Sequence, residues 1–140
     1  YLYGVAGAPL APYRISPADV RVPSSAGRLV EFPMSVWRRG RLTLPISGGI
    51  YLRLLPAPAL RTLLRAAAVS RPLVVYVHPW EASMATPRVR LPATQSLATY
   101  ANRGSVLPKL ESLLRCFSFA PLRIVLQREG LLEIGAGHAS

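Results

Sequence analysis

Hydrophobic residues recur with the spacing of an α-helix in two parts of the chain. In residues 58–68 they fall at i, i+3, i+4, i+7 and i+8, on one helical face opposite Arg61 and Arg65. This stripe comprises Leu60, Leu63, Leu64, Ala67 and Ala68. A second helix is predicted over residues 106–117, with Ser105 as its N-cap. Its expected apolar stripe is Leu107, Leu110, Leu113, Leu114 and Phe117.

The strongest β signal lies in residues 73–77, where five apolar or aromatic residues follow one another and three are valine. Such a run is typical of a strand covered on both faces. Pro72 and Pro79 bound it, because proline has no N–H to give to a sheet. A helix followed by a strand is the repeating unit of an α/β fold.

The remaining segments have weaker patterns. Short strands are predicted at 29–32, 41–44 and 121–126, the first two around an arginine-rich turn at 38–41. Gly48 and Gly49 predict a loop where two backbones approach closely. Residues 1–28 and 81–102 are expected to be mostly irregular, and residues 128–140 to form a frayed tail.

His78 is placed by this pattern at the carboxyl end of a buried strand. Sites in folds built on parallel strands lie at those strand ends, so His78 is a candidate catalytic group. A satisfied polar residue at the end of a strand is the alternative interpretation. The pattern alone does not separate the two.

Two sequence blocks carry a resemblance to a known family. They are His-Pro-Trp-Glu at 78–81 and Gly-Gly-Ile-Tyr-Leu-Arg-Leu-Leu-Pro at 48–56. Weaker pieces keep the same order, including Leu-Val-Glu-Phe-Pro at 29–33, Pro87-Arg88 and Tyr100-x-Asn102. Together they resemble the polysaccharide deacetylases of the NodB-homology class, in the subgroup linked to exopolysaccharide and exosortase loci. The likeness runs to about Leu126 and covers only the C-terminal portion of that family.

The resemblance implies an α/β fold, the C-terminal part of a distorted (β/α) barrel, incomplete as a domain by itself. Residues 1–127 would form this portion, and a missing N-terminal half would precede it. The implied reaction is hydrolysis of N-acetyl groups on a bacterial exopolysaccharide or its precursor. The family's metal ligands, an aspartate and two histidines, match no positions here. A divalent metal, expected to be zinc, therefore belongs to the complete enzyme and not to this chain.

The resemblance assigns His78 the role of general acid, the group that protonates the leaving amine. It also implies that Tyr76 and Val77 line the pocket for the acetyl methyl group. The family pattern is broken at Thr99, where histidine is common, and at Gly104 and Cys116, where acidic residues are common.

Further substrate contacts are expected from Tyr51, Arg53, Trp80 and Glu81, each with an alternative. Trp80 either stacks on a sugar ring or anchors the base of the loop. Glu81 either orients His78 or caps the segment that follows. Residues 51–53 are predicted to form a strand, on which Tyr51 and Arg53 point to one face and reach the substrate. Arg53 equally suits an ion pair with Glu81.

Composition adds a net charge of +11, from 16 arginines and one lysine against six acidic residues. One interpretation is a non-catalytic, arginine-rich module that binds polysaccharide or another polyanion. Codon bias toward arginine is another. No nucleic-acid motif accompanies the charge, so no nucleic-acid partner is predicted. The lone Cys116 excludes an internal disulfide and is expected to be a buried thiol, while His138 is expected to be solvated in the tail. No apolar run spans a membrane, and a cytoplasmic location is expected.

Overall fold

The computed structural model describes residues 5–133, which fall into two compact units. The larger unit comprises residues 34–118, and the smaller one joins the N-terminal segment to Phe119 and the residues that follow it. His138, expected to be solvated in the tail, lies outside the described residues.

Short strands precede the helices along the chain. The strands are β1 (Tyr13–Arg14), β2 (Val30–Glu31), β3 (Val36–Arg39) and β4 (Leu42–Pro45). The helices are α1 (Gly49–Leu54), α2 (Ala57–Ala68), α3 (Pro79–Ala82), α4 (Ala93–Tyr100), α5 (Val106–Cys116) and α6 (Leu122–Arg128). A 3-10 turn, Arg103–Ser105, links α4 to α5. The described residues thus form a mixed α/β structure with small antiparallel sheets and no barrel.

In the larger unit, β3 and β4 form a hairpin around the predicted arginine-rich turn, with Arg39 opposite Leu42. The strand predicted after the turn corresponds to β4, but the strand before the turn is β3 and not the predicted segment 29–32. That segment contributes β2, which pairs with β1 in the smaller unit.

Helix α2 confirms the first helix prediction to within one residue, and Leu60, Leu64 and Ala67 of its stripe are buried. Helix α5 confirms the second prediction, and of its predicted stripe Leu113 is buried and Phe117 packs against the core. The rest of the stripe was wrong in part, because Leu107 and Leu114 are more than half exposed and Val106 and Lys109 are buried beside Leu113. Lys109 turns inward because backbone carbonyls receive its ammonium group. Cys116, expected to be buried, is exposed at the end of this rotated helix.

Residues 73–77 do not form a ladder. Tyr76 makes one isolated parallel bridge, to Gly48, and the Ser35 hydroxyl bonds both the N–H and the carbonyl of Val74. Leu73, Val75 and Val77 pack against the core with the alternation of an extended chain. The prediction of a strand buried on both faces was therefore wrong, because only one face meets the core and no strand flanks it among the described residues.

Two further segments differ from prediction because proline starts a helix in each. Pro92 precedes α4, inside a segment predicted to be mostly irregular, and Pro121 precedes α6, where a strand was predicted. Helix α6 ends in a Schellman motif. Leu131 N–H bonds to the Leu126 carbonyl, and Gly130, at φ +70°, bonds to Gln127. This motif lies where the start of a frayed tail was expected, and residues 134–140 of that expected tail lie outside the described residues.

The core of the larger unit lies where α1, α2, α5 and the hairpin's end meet. Its buried members are Ile46, Leu52, Leu60, Leu64, Ala67, Val106 and Leu113. None of the helices within residues 5–133 is long and apolar enough to cross a membrane.

Candidate active site

His78 is positioned by the contact between Tyr76 and the start of α1. Tyr76 N–H donates to the Ser47 carbonyl at 2.9 Å, and Gly48 lies against the Tyr76 backbone. A Cβ at Gly48 would collide with the Tyr76 carbonyl and ring. The expected close approach at Gly48 is therefore confirmed, and it fixes the extended segment two residues before His78.

Glu81 then holds His78 at the first turn of α3. One carboxylate oxygen of Glu81 accepts the His78 backbone N–H at 3.1 Å and lies 3.2 Å from His78 Nδ1. This is the backbone half of a capping box, in which the third helical residue reaches back to the N-cap. Both alternatives for Glu81 are thus confirmed, since it orients His78 and caps the segment. A carboxylate at Nδ1 selects the tautomer protonated there and leaves Nε2 for other partners.

The two side chains differ in exposure. The Glu81 side chain is 1% exposed, whereas the His78 side chain is 50% exposed. The carboxylate is therefore fixed by the fold, while the imidazole it orients reaches solvent. A buried carboxylate behind a solvent-accessible imidazole is the arrangement that proton-transferring histidines use.

Arg53 holds the other oxygen of Glu81, with Nε at 3.1 Å, in an ion pair buried at both ends. The predicted pairing of Arg53 with Glu81 is confirmed. The rest of the Arg53 guanidinium caps the end of α4, donating to the carbonyls of Ala98, Thr99 and Ala101. One arginine thus joins the His78 segment to α4.

The backbone of Arg53 is itself a hub. Its carbonyl accepts hydrogen bonds from Asn102 Nδ2 at 2.6 Å, Ser105 Oγ at 3.2 Å and Lys109 Nζ at 2.6 Å. Asn102 has φ +55°, a left-handed conformation that asparagine tolerates better than most residues. Ser105 occupies the N-cap of α5, but the predicted side-chain cap was wrong because its hydroxyl bonds to carbonyls instead.

Lys109 is the second buried cation at this hub. Its ammonium donates to the Leu52 carbonyl at 3.0 Å as well as to Arg53. Burial lowers the pKa of Lys109 below its usual value, since the charged form loses hydration.

Aromatic rings surround the exposed side of His78. The Trp80 ring stacks with the imidazole at 5.8 Å between centroids, and the Tyr76 ring meets it edge-on at 5.2 Å. The Arg53 guanidinium lies 5.6 Å from the Trp80 ring centroid. Trp80 is half-buried and packs within the site.

The other predicted site residues are placed less directly. Tyr51 and Arg53 lie on helix α1, not on a strand. Residues two apart on a helix point in different directions, so the expectation that they share a face was wrong. Val77 packs against the core cluster. Thr99 contributes its carbonyl, so its departure from the family pattern does not affect the contact with Arg53.

Asn102, Arg103 and Lys109 belong to this site and were missed as site residues by sequence reasoning. Lys109 left one signal, because it lies three residues after Val106 and four before Leu113, on their helical face. The carbonyl partners left none, because a backbone acceptor has no sequence signature.

Residues 5–133 contain no group of three or more histidine, cysteine, aspartate or glutamate side chains arranged to hold a metal ion. No ligand to the zinc that the resemblance implies is therefore assigned among them.

Comparison with known proteins identifies a family for this chain. The chain matches no curated protein and no solved structure. Over residues 1–127 it matches the model of a family described as a domain of unknown function, DUF3473. Because the match covers most of the chain, the protein belongs to the DUF3473 family.

Proposed function

We propose that this chain is the C-terminal portion of a polysaccharide deacetylase domain with a distorted (β/α) barrel fold. Its reaction would be removal of N-acetyl groups from a bacterial exopolysaccharide or its precursor. Two facts support the proposal. The ordered motifs at 48–56 and 78–81 resemble that family, and DUF3473 domains are associated with polysaccharide deacetylase-like proteins.

The observation that carries the proposal is the contact of His78 Nδ1 with the buried Glu81 carboxylate. With Nδ1–H held by Glu81, Nε2 is the atom that exchanges a proton with a substrate. As general acid, His78 donates that proton to the leaving amine when the C–N bond breaks.

Arg53 and Trp80 support this transfer without taking part in it. Arg53 fixes the carboxylate that orients His78, and Trp80 restricts the imidazole by stacking. Water activation and oxyanion stabilisation are not assigned to residues 5–133. The zinc ion of the complete enzyme would be held by other residues.

The test is acetate release from an N-acetylated exopolysaccharide by the protein as its source cells make it, comparing wild type with His78→Ala. We expect His78→Ala to lower turnover about 100-fold or more, the usual contribution of a positioned general acid, while substrate binding persists. Glu111→Gln is the matched control. Glu111 pairs with Arg115 on the surface of α5, and turnover should not change. Wild-type protein that binds polysaccharide but releases no acetate would instead support the non-catalytic, arginine-rich binding module.

A further inference from the structure

Buried charges in residues 34–118 do not balance. Arg53, Arg103 and Lys109 are each at least nine-tenths buried, whereas Glu81 is the buried acidic residue of this unit. The unit contains only one other acid, Glu111, which pairs with Arg115. Since Glu81 already pairs with Arg53, two buried cations form no ion pair with a described residue. An uncompensated buried charge is costly, and proteins normally pair it.

Lys109 satisfies its ammonium with two carbonyls, but Arg103 does not satisfy its guanidinium. One terminal nitrogen of Arg103 donates to the Trp80 carbonyl at 3.2 Å. Its Nε is buried and has no hydrogen-bond partner among the described residues. A buried N–H without an acceptor costs about 1–3 kcal/mol, so this nitrogen marks a place where an acceptor is expected.

A second arginine converges on the same ring as Arg103. The Arg103 guanidinium lies 5.2 Å from the Tyr100 ring centroid, and that of Arg88 lies 5.3 Å from it. The Tyr100 hydroxyl accepts the Val89 N–H at 3.0 Å, which holds the Arg88 segment over the ring. Both guanidinium groups thus lie within cation–π distance of one aromatic ring.

This pair adjoins the proposed active site through Trp80. The Trp80 carbonyl binds Arg103, and its ring stacks with His78. An anionic group bound at Arg103 would therefore belong to a part of the saccharide that neighbours the reacting N-acetyl group.

From this geometry we infer that Arg88, Tyr100 and Arg103 form a subsite for an oxyanion carried by the saccharide substrate. The chemistry is a carboxylate or phosphate, which guanidinium groups bind through paired N–H donors. A carboxylate would come from a uronate unit, and a phosphate from a phosphate-linked precursor. That the ligand is a saccharide rests on the proposed function, whereas the oxyanion preference rests on the arginine pair.

The test is calorimetric binding to the whole 140-residue chain at low and at physiological salt. Three probes separate the possibilities: a short oligogalacturonate, an N-acetylglucosamine oligomer of equal length, and inorganic pyrophosphate. Tighter binding of either anionic probe than of the neutral oligomer supports the inference. Oligogalacturonate identifies a uronate substrate, and pyrophosphate alone identifies a phosphate-linked one.

Arg88→Gln and Arg90→Gln make a matched pair. Both arginines are exposed, two residues apart, and each substitution removes one charge, but only Arg88 contacts Tyr100. We expect Arg88→Gln to weaken binding of the anionic probe about tenfold, the loss of a charge-assisted hydrogen bond, and Arg90→Gln to change it by less than about twofold. Arg103→Lys, checked for a native melting transition, should weaken it similarly.

Equal weakening by Arg88→Gln and Arg90→Gln would overturn the inference, because it would mean that charge alone attracts the probe. Absence of anion binding to the wild-type chain would overturn it too. Neither result bears on acetate release by the complete protein, so failure of this subsite and failure of the deacetylase proposal are distinguishable.

Discussion

Arg53–Glu81 and Arg21–Asp19 are both arginine–carboxylate pairs, but they belong to different kinds of structure. In the first, the side chains are 3% and 1% exposed and come from residues 28 apart in sequence. In the second, they are 56% and 34% exposed and only two residues apart. The exposed pair has the shorter contact, 2.7 Å against 3.1 Å. Ranking the two pairs by contact distance alone would therefore give the wrong order for their contributions to stability.

The difference shows that burial and the number of connected partners decide what an ion pair does. Water competes for the Arg21 pair and screens it, so its contribution to stability is small. The Arg53 pair is shielded from water, and each member also holds backbone groups of other segments. The exposed pair stabilises one turn, whereas the buried pair connects α1, α3 and α4.

The largest expected effect comes from breaking the buried pair. Glu81→Leu leaves the Arg53 charge buried without its partner, and we expect it to lower the free energy of unfolding by about 3–5 kcal/mol. Urea denaturation of the 140-residue chain measures this loss. A loss below about 1 kcal/mol, the range of an exposed pair, would contradict the distinction between the two pairs.

Removing both partners should be less damaging than adding the two single losses. Arg53→Met with Glu81→Leu leaves no unpaired charge, so we expect a favourable coupling of about 1–3 kcal/mol in a double-mutant cycle. Recovery should be incomplete, because the carbonyls of Ala98, Thr99 and Ala101 lose their donor. Strictly additive losses would mean that the pair acts through separate contacts.

Lys109 provides a pH test of the same buried region. Its pKa in the folded protein lies below the ordinary 10.5, so between those values the unfolded chain binds more protons. Stability attributable to Lys109 should therefore rise as pH increases through that window. Tyr13 acts in the opposite sense, because burial raises its pKa above 10.0. The difference in unfolding free energy between wild type and Lys109→Met isolates the lysine, and a difference that does not change with pH would contradict its burial.

The smallest effect is expected at the exposed pair. Hydrogen bonds from Arg21 lower the pKa of Asp19 to about 2 from 3.8. The associated stability is present above pH 3.8 and is lost as pH falls through about 2. Asp19→Asn should lower the melting temperature at neutral pH by much less than Glu81→Leu does, because water screens the exposed pair, and an NMR titration of the Asp19 carboxyl should show the low pKa. A drop in melting temperature as large as that of Glu81→Leu would show that exposure does not weaken this pair.

Sequence patterns predicted both the bounds and the buried face of a helix where its apolar stripe packs against the core. Helix α2 is the example, since its boundaries agree to within one residue and Leu60, Leu64 and Ala67 of its stripe are buried. In α5 the helix and the burial of Leu113 were predicted, but the burial of Lys109 was not, because it packs inward to reach carbonyls that no pattern reveals. The strand predictions at 73–77 and 121–126 failed because a run of apolar residues does not specify a ladder partner.

The site was predictable to the extent that it is local. His78 and Glu81 are three residues apart, the spacing of a capping box, and their contact could be inferred from sequence. For Arg53 the sequence left two alternatives, contact with the substrate and an ion pair with Glu81. Only the helical form of residues 51–53, which the structure reveals, decides between them. Arg103 lies 23 residues from its partner Trp80, and this kind of contact depends on the assembled fold.

The bridge between Gly48 and Tyr76 also sets which side chains face outward. Side chains of an extended segment alternate between its two sides, so Val77 points into the core while His78 reaches solvent. A slip of one residue at this bridge would exchange them, burying the imidazole and exposing the valine. A side chain at position 48 cannot fit against Tyr76. This single glycine therefore permits the register in which His78 faces solvent.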